Sequence, residues 1–212
     1  GVSRVTVRQA LRNLVLDGHL ERGQGRGTFV RKPTLTAGER GLLSFSEEMR
    51  ALGLKPGAKL LKQEVVQPSN AVAARLELGQ GAPVYRVHRL RTGDGQPIGL
   101  QTSYLPAERF PGLLELLSEG SSLYESLRAG FGLTMSEARE TFSVTSISKE
   151  AAELLRVPAG TGAFHVERLA RDQDGRVFEF TVSVMRADRY RISWVLRNPN
   201  SQERATFKGE ER

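Results

Sequence analysis

Over the opening residues the apolar positions repeat with a helical period, and the pattern then breaks into short extended runs. Val7, Ala10, Leu11 and Leu14 fall at i, i+3, i+4 and i+7, one stripe of a helix from about Arg4 to Asp17 that needs a core to face. Ser3 is placed to cap that helix through its hydroxyl, and Gly18 to close it in the left-handed conformation. Short runs at His19 to Arg22 and Thr28 to Arg31, separated by a glycine-rich tip at Gly23 to Gly27, predict a β-hairpin. The stretch from Lys32 to Gly41 has no periodicity and carries Pro33, Gly38 and Gly41, so it reads as a linker.

A second pattern begins near Leu42. Ser44 and Glu47 have capping-box spacing for a helix ending at Gly53, followed by a strand at Lys59 to Gln67 and a helix at Asn70 to Leu78. Two long strands, Pro83 to Thr92 and Ile98 to Leu105, flank a turn at Gly93 to Gln96. The order then recurs. Setting residue n against n + 79 aligns Ser69 with Ser148, Ala73 with Ala152, Leu76 with Leu155, Gly81 with Gly160, Val87 with Val166, Arg89 with Arg168 and Leu90 with Leu169. The second copy ends in its own hairpin, turning at Asp172 to Gly175 into a strand from Val177 to Arg186. Short helices around Leu113 to Leu117 and Leu123 to Ala129 and a strand from about Glu140 to Ser146 lie between the copies. A chance likeness of two ordinary units is the alternative to a true repeat. The pattern predicts an α+β fold, a mostly antiparallel sheet with helices on one side and an approximate internal two-fold. Beyond Leu196 the polar run to Arg212 lacks periodicity, and 198–212 is expected to be a disordered tail.

Charge sharpens the first segment. Residues 1–32 carry seven Arg and Lys against Asp17 and Glu21, a net +5 of the chain's +7. Arg4, Arg8 and Arg12 stack at i, i+4 and i+8 on a face away from the apolar stripe, where like charges repel unless an anion compensates them. A helix with a basic outer face, then a hairpin whose tip holds Arg26, is the second half of a winged helix-turn-helix, and DNA is the expected partner. The same residues also suit a solvated helix face beside a flexible loop. The glycine run lacks the Lys-Ser/Thr of a phosphate-binding loop and leads into a strand, which sets aside a nucleotide site.

Composition bounds the remainder. With 212 residues and 39% hydrophobic content the chain can bury a core as one or two domains. No apolar run approaches the roughly 18 residues of a membrane span, and no signal-peptide pattern is present. Absent cysteines exclude disulfides and thiolate metal sites, and His19, His88 and His165 are too scattered to share a metal. A cytoplasmic protein without a membrane partner, metal or cofactor is expected.

In the strand from Pro83, alternation puts Tyr85, Val87, Arg89 and Arg91 on one face. Guanidinium groups among apolar neighbours need a carboxylate or a bound anion. Internal salt bridges to Glu64, Glu140 or Glu179 would satisfy them, and so would a small anionic ligand. Helix starts at Ser44 and Ser46 and at Ser121 and Ser122 could add donors, although each serine also suits a simple cap.

Residues 1–11 (GVSRVTVRQAL), 14–20 (LVLDGHL) and 25–30 (GRGTFV) resemble the end of the DNA-binding domain of GntR-family bacterial transcription factors. That domain has two further helices before this point, so the chain reads as N-terminally truncated, with 1–31 its C-terminal half and 32–41 a linker. Without those helices this region is expected to be poorly ordered or held by neighbours. Residues 42–197 resemble the UTRA effector domain of the HutC-type subfamily, through Gly41 to Met49, Arg89 to Arg91, Gly95 to Pro97, Ser122 to Tyr124 and Arg186 to Tyr190. The resemblance implies the chorismate-lyase fold and a homodimeric, ligand-regulated DNA-binding protein, most like regulators of amino-sugar use.

Carried over, the resemblance places Ser3, Arg4, Thr6, Arg8, Gln9, Arg26, Gly27 and Thr28 at operator DNA. It places Arg89, Arg91, Ser122 and Tyr124 at a phosphate end, Ser44, Phe45 and Ser46 beside the anion, and Glu179 at sugar hydroxyls, with Gln101 and Met185 in the same site. Gln101 stands where an acid is usual and Met185 where an aromatic hydroxyl is usual, so the effector is expected to be a small anion, a sugar phosphate or a carboxylate. Because the implied fold also supports catalysis, a chorismate-lyase-like enzyme acting on a small anionic substrate is the competing class, and an effector-free interaction module a third. The chain has no nucleophile with a base, no metal site and no nucleotide loop, and a regulator rather than an enzyme is expected.

Overall fold

The computed structural model describes residues 2–16, 20–23, 27–30, 35–37, 42–79 and 81–192. The helix end at Asp17 and Gly18, the hairpin tip with Arg26, most of the expected linker and the tail 198–212 lie outside the described residues. Helix α1 spans Arg4–Leu16, and Ser3 Oγ caps it by accepting from the Thr6 amide at 3.1 Å. Strands β1 (Leu20–Gly23) and β2 (Gly27–Val30) form the antiparallel hairpin, from Leu20 opposite Val30 to Gly23 opposite Gly27. The apolar stripe of α1 finds little cover among the described residues: Val7 is 45% and Leu14 40% exposed.

Six strands make one antiparallel sheet: β4 (Pro56–Val66), β5 (Val84–Gly93), β6 (Gln96–Pro106), β7 (Met135–Ser146), β8 (Gly162–Asp172) and β9 (Val177–Arg186). Their order, β4-β5-β6-β9-β8-β7, is the repeat made visible. Each copy contributes a strand, a helix and a hairpin, and the copies meet where β6 pairs with β9.

The identities between copies mark positions with the same local physics. Ser69 and Ser148 cap α3 (Asn70–Arg75) and α6 (Lys149–Leu155), each hydroxyl accepting from the amide three residues on at 3.3 Å. Leu76 and Leu155 are buried at the ends of those helices, and Gly81 and Gly160 have φ of 80° and 82°, a conformation that favours glycine. The β5–β6 turn has positive φ at both Asp94 and Gly95, as a two-residue hairpin connection requires.

Helices cover both faces of the sheet, not one. α3 and α6 pack on one face, where Val72, Ala152 and Leu155 meet Leu90, Leu100 and Phe180. On the other face lie α2 (Phe45–Ala51), α4 (Leu113–Leu116) and α5 (Leu123–Phe131), with Leu113, Leu123 and Leu127 packed on Val87, Leu105 and Phe178. The repeat predicts only the first pair of helices, because the other three have no counterpart in it. The expected linker also contains a strand: β3 (Leu35–Ala37) pairs in parallel with β10 (Tyr190–Ile192).

Candidate functional site

The middle of the sheet dips into a cleft because alternation and strand register bring polar side chains to one face. Cross-strand pairing aligns Arg89, Gln101, Ser183 and Val166 in one row. Arg91, Gly99 and Met185 form the row on one side, and Ser103, Thr181, Arg168 and Glu140 the row on the other. The cleft encloses about 630 Å³, its mouth included. Its roof comes from Ser44, Phe45 and Ser46 at the start of α2, Ser122 and Tyr124 at the start of α5, and Tyr190. A Cβ on Gly99 would sit 2.4 Å from Met185 Sδ, so only glycine there lets Met185 lie across β6.

All ten residues that the sequence assigns to an effector site line this one cleft: Ser44, Phe45, Ser46, Arg89, Arg91, Gln101, Ser122, Tyr124, Glu179 and Met185. Two of the serines already have work in capping. Ser44 Oγ accepts from the Glu47 amide at 3.2 Å while Glu47 Oε2 accepts from the Ser44 amide at 2.8 Å, and Ser122 Oγ accepts from the Glu125 amide at 3.4 Å.

The arginines are the main electrostatic feature. Arg89 is 5% and Arg91 3% exposed, yet neither has an ion pair among the described residues. The three acids considered as partners are engaged elsewhere. Glu64 bonds Arg86 and Lys62, Glu140 lies 3.5 Å from Arg168, and Glu179 Oε2 accepts from the Tyr124 hydroxyl.

Arg89 Nη2 donates to Gln101 Oε1 at 3.1 Å and has Ser103 Oγ at 3.5 Å, leaving Nε without a partner. Arg91 lies under the Phe45 ring at 4.1 Å, with both Nε and Nη1 unpartnered among the described residues. Burial lowers the Arg89 guanidinium below the ordinary arginine range against the pull of Glu179, and burial together with Arg89 lowers Arg91 further. The Tyr124 phenol is pushed well up by burial and by Glu179, so it stays protonated and donates. A neutral Gln101 is significant here: a carboxylate at that position would pair with Arg89, whereas the amide gives it a hydrogen bond without a countercharge.

Several lining residues escaped the sequence reading as site residues, among them Arg168, Glu140, Thr181, Ser183 and Tyr190. The repeat carried a signal for Arg168, the counterpart of Arg89 on the other half of the floor. Burial opposes its charge, but Tyr124, Glu140 and Glu179 around it prevail and raise its pKa. Tyr190 packs against Phe142 and Phe164, with ring centroids 6.2 Å from each. Of the residues assigned to DNA, Ser3, Arg4, Thr6, Arg8 and Gln9 on α1 and Gly27 and Thr28 on β2 are exposed, and Arg26 lies outside the described residues. Gln9 Nε2 donates to Asn13 Oδ1 at 3.1 Å along the same helix. Among the described residues no cluster of His, Asp and Glu could hold a metal, and no helix is long and apolar enough to cross a membrane.

Comparison with known proteins defines the class as bacterial transcription regulators. The family of bacterial regulatory proteins of the gntR type matches residues 1–30, and the UTRA domain matches residues 51–191. The HTH-type transcriptional repressor NagR of Bacillus subtilis is 34% identical over 190 residues, 90% of this chain and 78% of NagR. PhnF of Mycolicibacterium smegmatis, also an HTH-type transcriptional repressor, is 36% identical over 200 residues, 94% of this chain and 81% of PhnF. The crystal structure of PhnF superposes with a TM-score of 0.81, covering 92% of this chain and 86% of that one. The structure of the PhnF effector domain alone matches 77% of this chain at 31% identity and a TM-score of 0.71. The chain belongs to the GntR family, in its HutC-type branch with a UTRA domain. It is a regulator and not an enzyme, in keeping with these relatives.

Proposed function

We propose that this protein is a cytoplasmic repressor that binds operator DNA as a homodimer and is controlled by a small anionic metabolite in the cleft, a sugar phosphate or a carboxylate. The observation that carries this reading is the pair of buried guanidiniums, Arg89 and Arg91, whose N–H groups have no acidic hydrogen-bond partner among the described residues. Guanidinium is planar and forked, and it bonds carboxylate or phosphate edges in pairs. Glu179 would bond ligand hydroxyls beyond the anion, and Ser122 and Tyr124 would lie at the anion itself. An amino-sugar phosphate fits such a division, although Gln101 and Met185 remove two of the groups that pattern uses.

Residues 1–31 supply one half of a winged head and 32–41 join it to the effector unit, 42–197. On DNA, Arg4, Thr6 and Arg8 would reach base edges in the major groove, Ser3 and Gln9 would flank them, and the wing residues Arg26, Gly27 and Thr28 would approach phosphate. Control is then a coupling free energy, typically about 1–3 kcal/mol, between cleft occupancy and the placement of two heads on one operator. The test is selection of binding sites from random DNA by the protein with a complete DNA-binding domain, followed by affinity measurements with each candidate anion. A two-fold symmetric site whose affinity changes with one anion supports the reading, and affinity indifferent to every anion rejects the regulatory part.

A further inference from the structure

One guanidinium in the cleft reaches out of it. Arg168, on the floor in β8, donates from both Nη1 and Nη2 to the backbone carbonyl of Leu43, each at 3.1 Å. Leu43 immediately precedes Ser44, the cap of α2, so the two-pronged bond holds the point where the chain enters the roof. A helix of seven residues has little intrinsic stability and depends on tertiary contacts for its order. Two further polar ties of α2, Arg50 to Glu125 and Arg128 to Glu47, join largely exposed groups and hold little. Burial of Met49 and Glu48 and the Arg168 bond at the helix entry together hold α2 in place.

The position of α2 in turn fixes a second arginine, because its first residue, Phe45, stacks on Arg91. A continuous path thus runs from Arg168 through the Leu43 carbonyl and Phe45 to the free edge of Arg91.

We propose that Arg168 is a positioning residue: it clasps the entry of α2, orients Arg91 through Phe45, and ties anion binding in the cleft to the chain arriving from the DNA-binding half. Only the last part rests on the regulatory reading above. The clasp and the buried arginine pair meet through α2, so linkage makes the dependence mutual.

Hydrogen exchange of the Glu48 amide, which bonds the Ser44 carbonyl at 2.9 Å, reports the clasp directly. In Arg168→Met its exchange should rise about tenfold or more while β5 and β6 amides stay unchanged. Arg168→Lys, which keeps the charge but not the two-pronged grip, should fall between, and it decides the matter if the methionine variant does not fold. Inorganic phosphate should bind Arg168→Met roughly fivefold or more weakly than wild type, with the lysine variant partly restored. Unchanged Glu48 exchange in both variants overturns the clasp. Loosened exchange with unchanged phosphate affinity overturns the coupling and leaves Arg168 a structural tie. If wild type itself does not bind phosphate, the phosphate form of the anion reading fails, and the exchange data alone then decide the clasp.

Discussion

Replacing Arg91 with methionine should make the anion-free protein more stable, an unusual sign for the loss of a buried side chain. Arg91 keeps two unpartnered donor positions, Nε and Nη1, at 3% exposure. Leaving a buried polar group unsatisfied costs about 1–3 kcal/mol. Stacking on Phe45 returns up to about 2 kcal/mol of that for a desolvated cation. Methionine has similar reach, and its sulfur recovers about 0.3–1.5 kcal/mol against the same ring. With each contribution at its upper end the net gain for Arg91→Met is about 2–3 kcal/mol, and each kcal/mol is worth about 2–4 °C in a chain of this size.

Inorganic phosphate works against that difference. A saturating anion stabilises wild type by RT ln(1 + [L]/Kd), about 2.7 kcal/mol at one hundred times Kd, and should do nothing for the variant. Thermal unfolding of both proteins with and without phosphate gives four midpoints, and phosphate should close the gap that the substitution opens. If Arg91→Met lowers the midpoint in the absence of anion, the guanidinium is part of the structural core and the reasoning fails.

Further outcomes follow from other sites. Asp172, fully buried, takes hydrogen bonds from Arg109 and from the amides of Asp174 and Arg176 at 2.9 Å each, so Asp172→Ala should cost about 3–5 kcal/mol by denaturant titration; a loss under about 1 kcal/mol would show the cluster to be dispensable. His88 is lowered below 6.5 by burial and by Arg86, so between its folded pKa and 6.5 the unfolded chain holds more protons and stability rises with pH. His88→Gln should flatten that slope, and an unaltered slope would assign it to other groups. In the protein with a complete DNA-binding domain, Arg8→Ala should cost about 1–3 kcal/mol against the cognate operator and relax discrimination at one base position; unchanged discrimination in anisotropy titrations would remove Arg8 from base readout.

The strand alternation and the n + 79 repeat made most of the sheet legible in the sequence, because both depend on local spacing. Tyr85, Val87, Arg89 and Arg91 do share a buried face, and Ser69 and Ser148 cap matching helices. Two features were hidden for physical reasons. The β3–β10 pair joins strands of three residues far apart in the chain, too short to show any period. The acids near Arg89 and Arg91 were legible as candidate partners, but only geometry reveals that Glu140 turns to Arg168 and Glu179 to Tyr124. Arg168 itself was visible only as the repeat partner of Arg89; its bond to Leu43 crosses between elements that no spacing rule connects.

The measurement that bears most directly on the central claim is thermal unfolding against a panel of phosphorylated sugars, the same sugars without phosphate, and small carboxylates, with Arg89→Ala alongside. A midpoint rise for one anionic compound that vanishes in Arg89→Ala is the predicted result. No rise with any anion, or a rise that Arg89→Ala retains in full, would contradict an anion-sensing cleft.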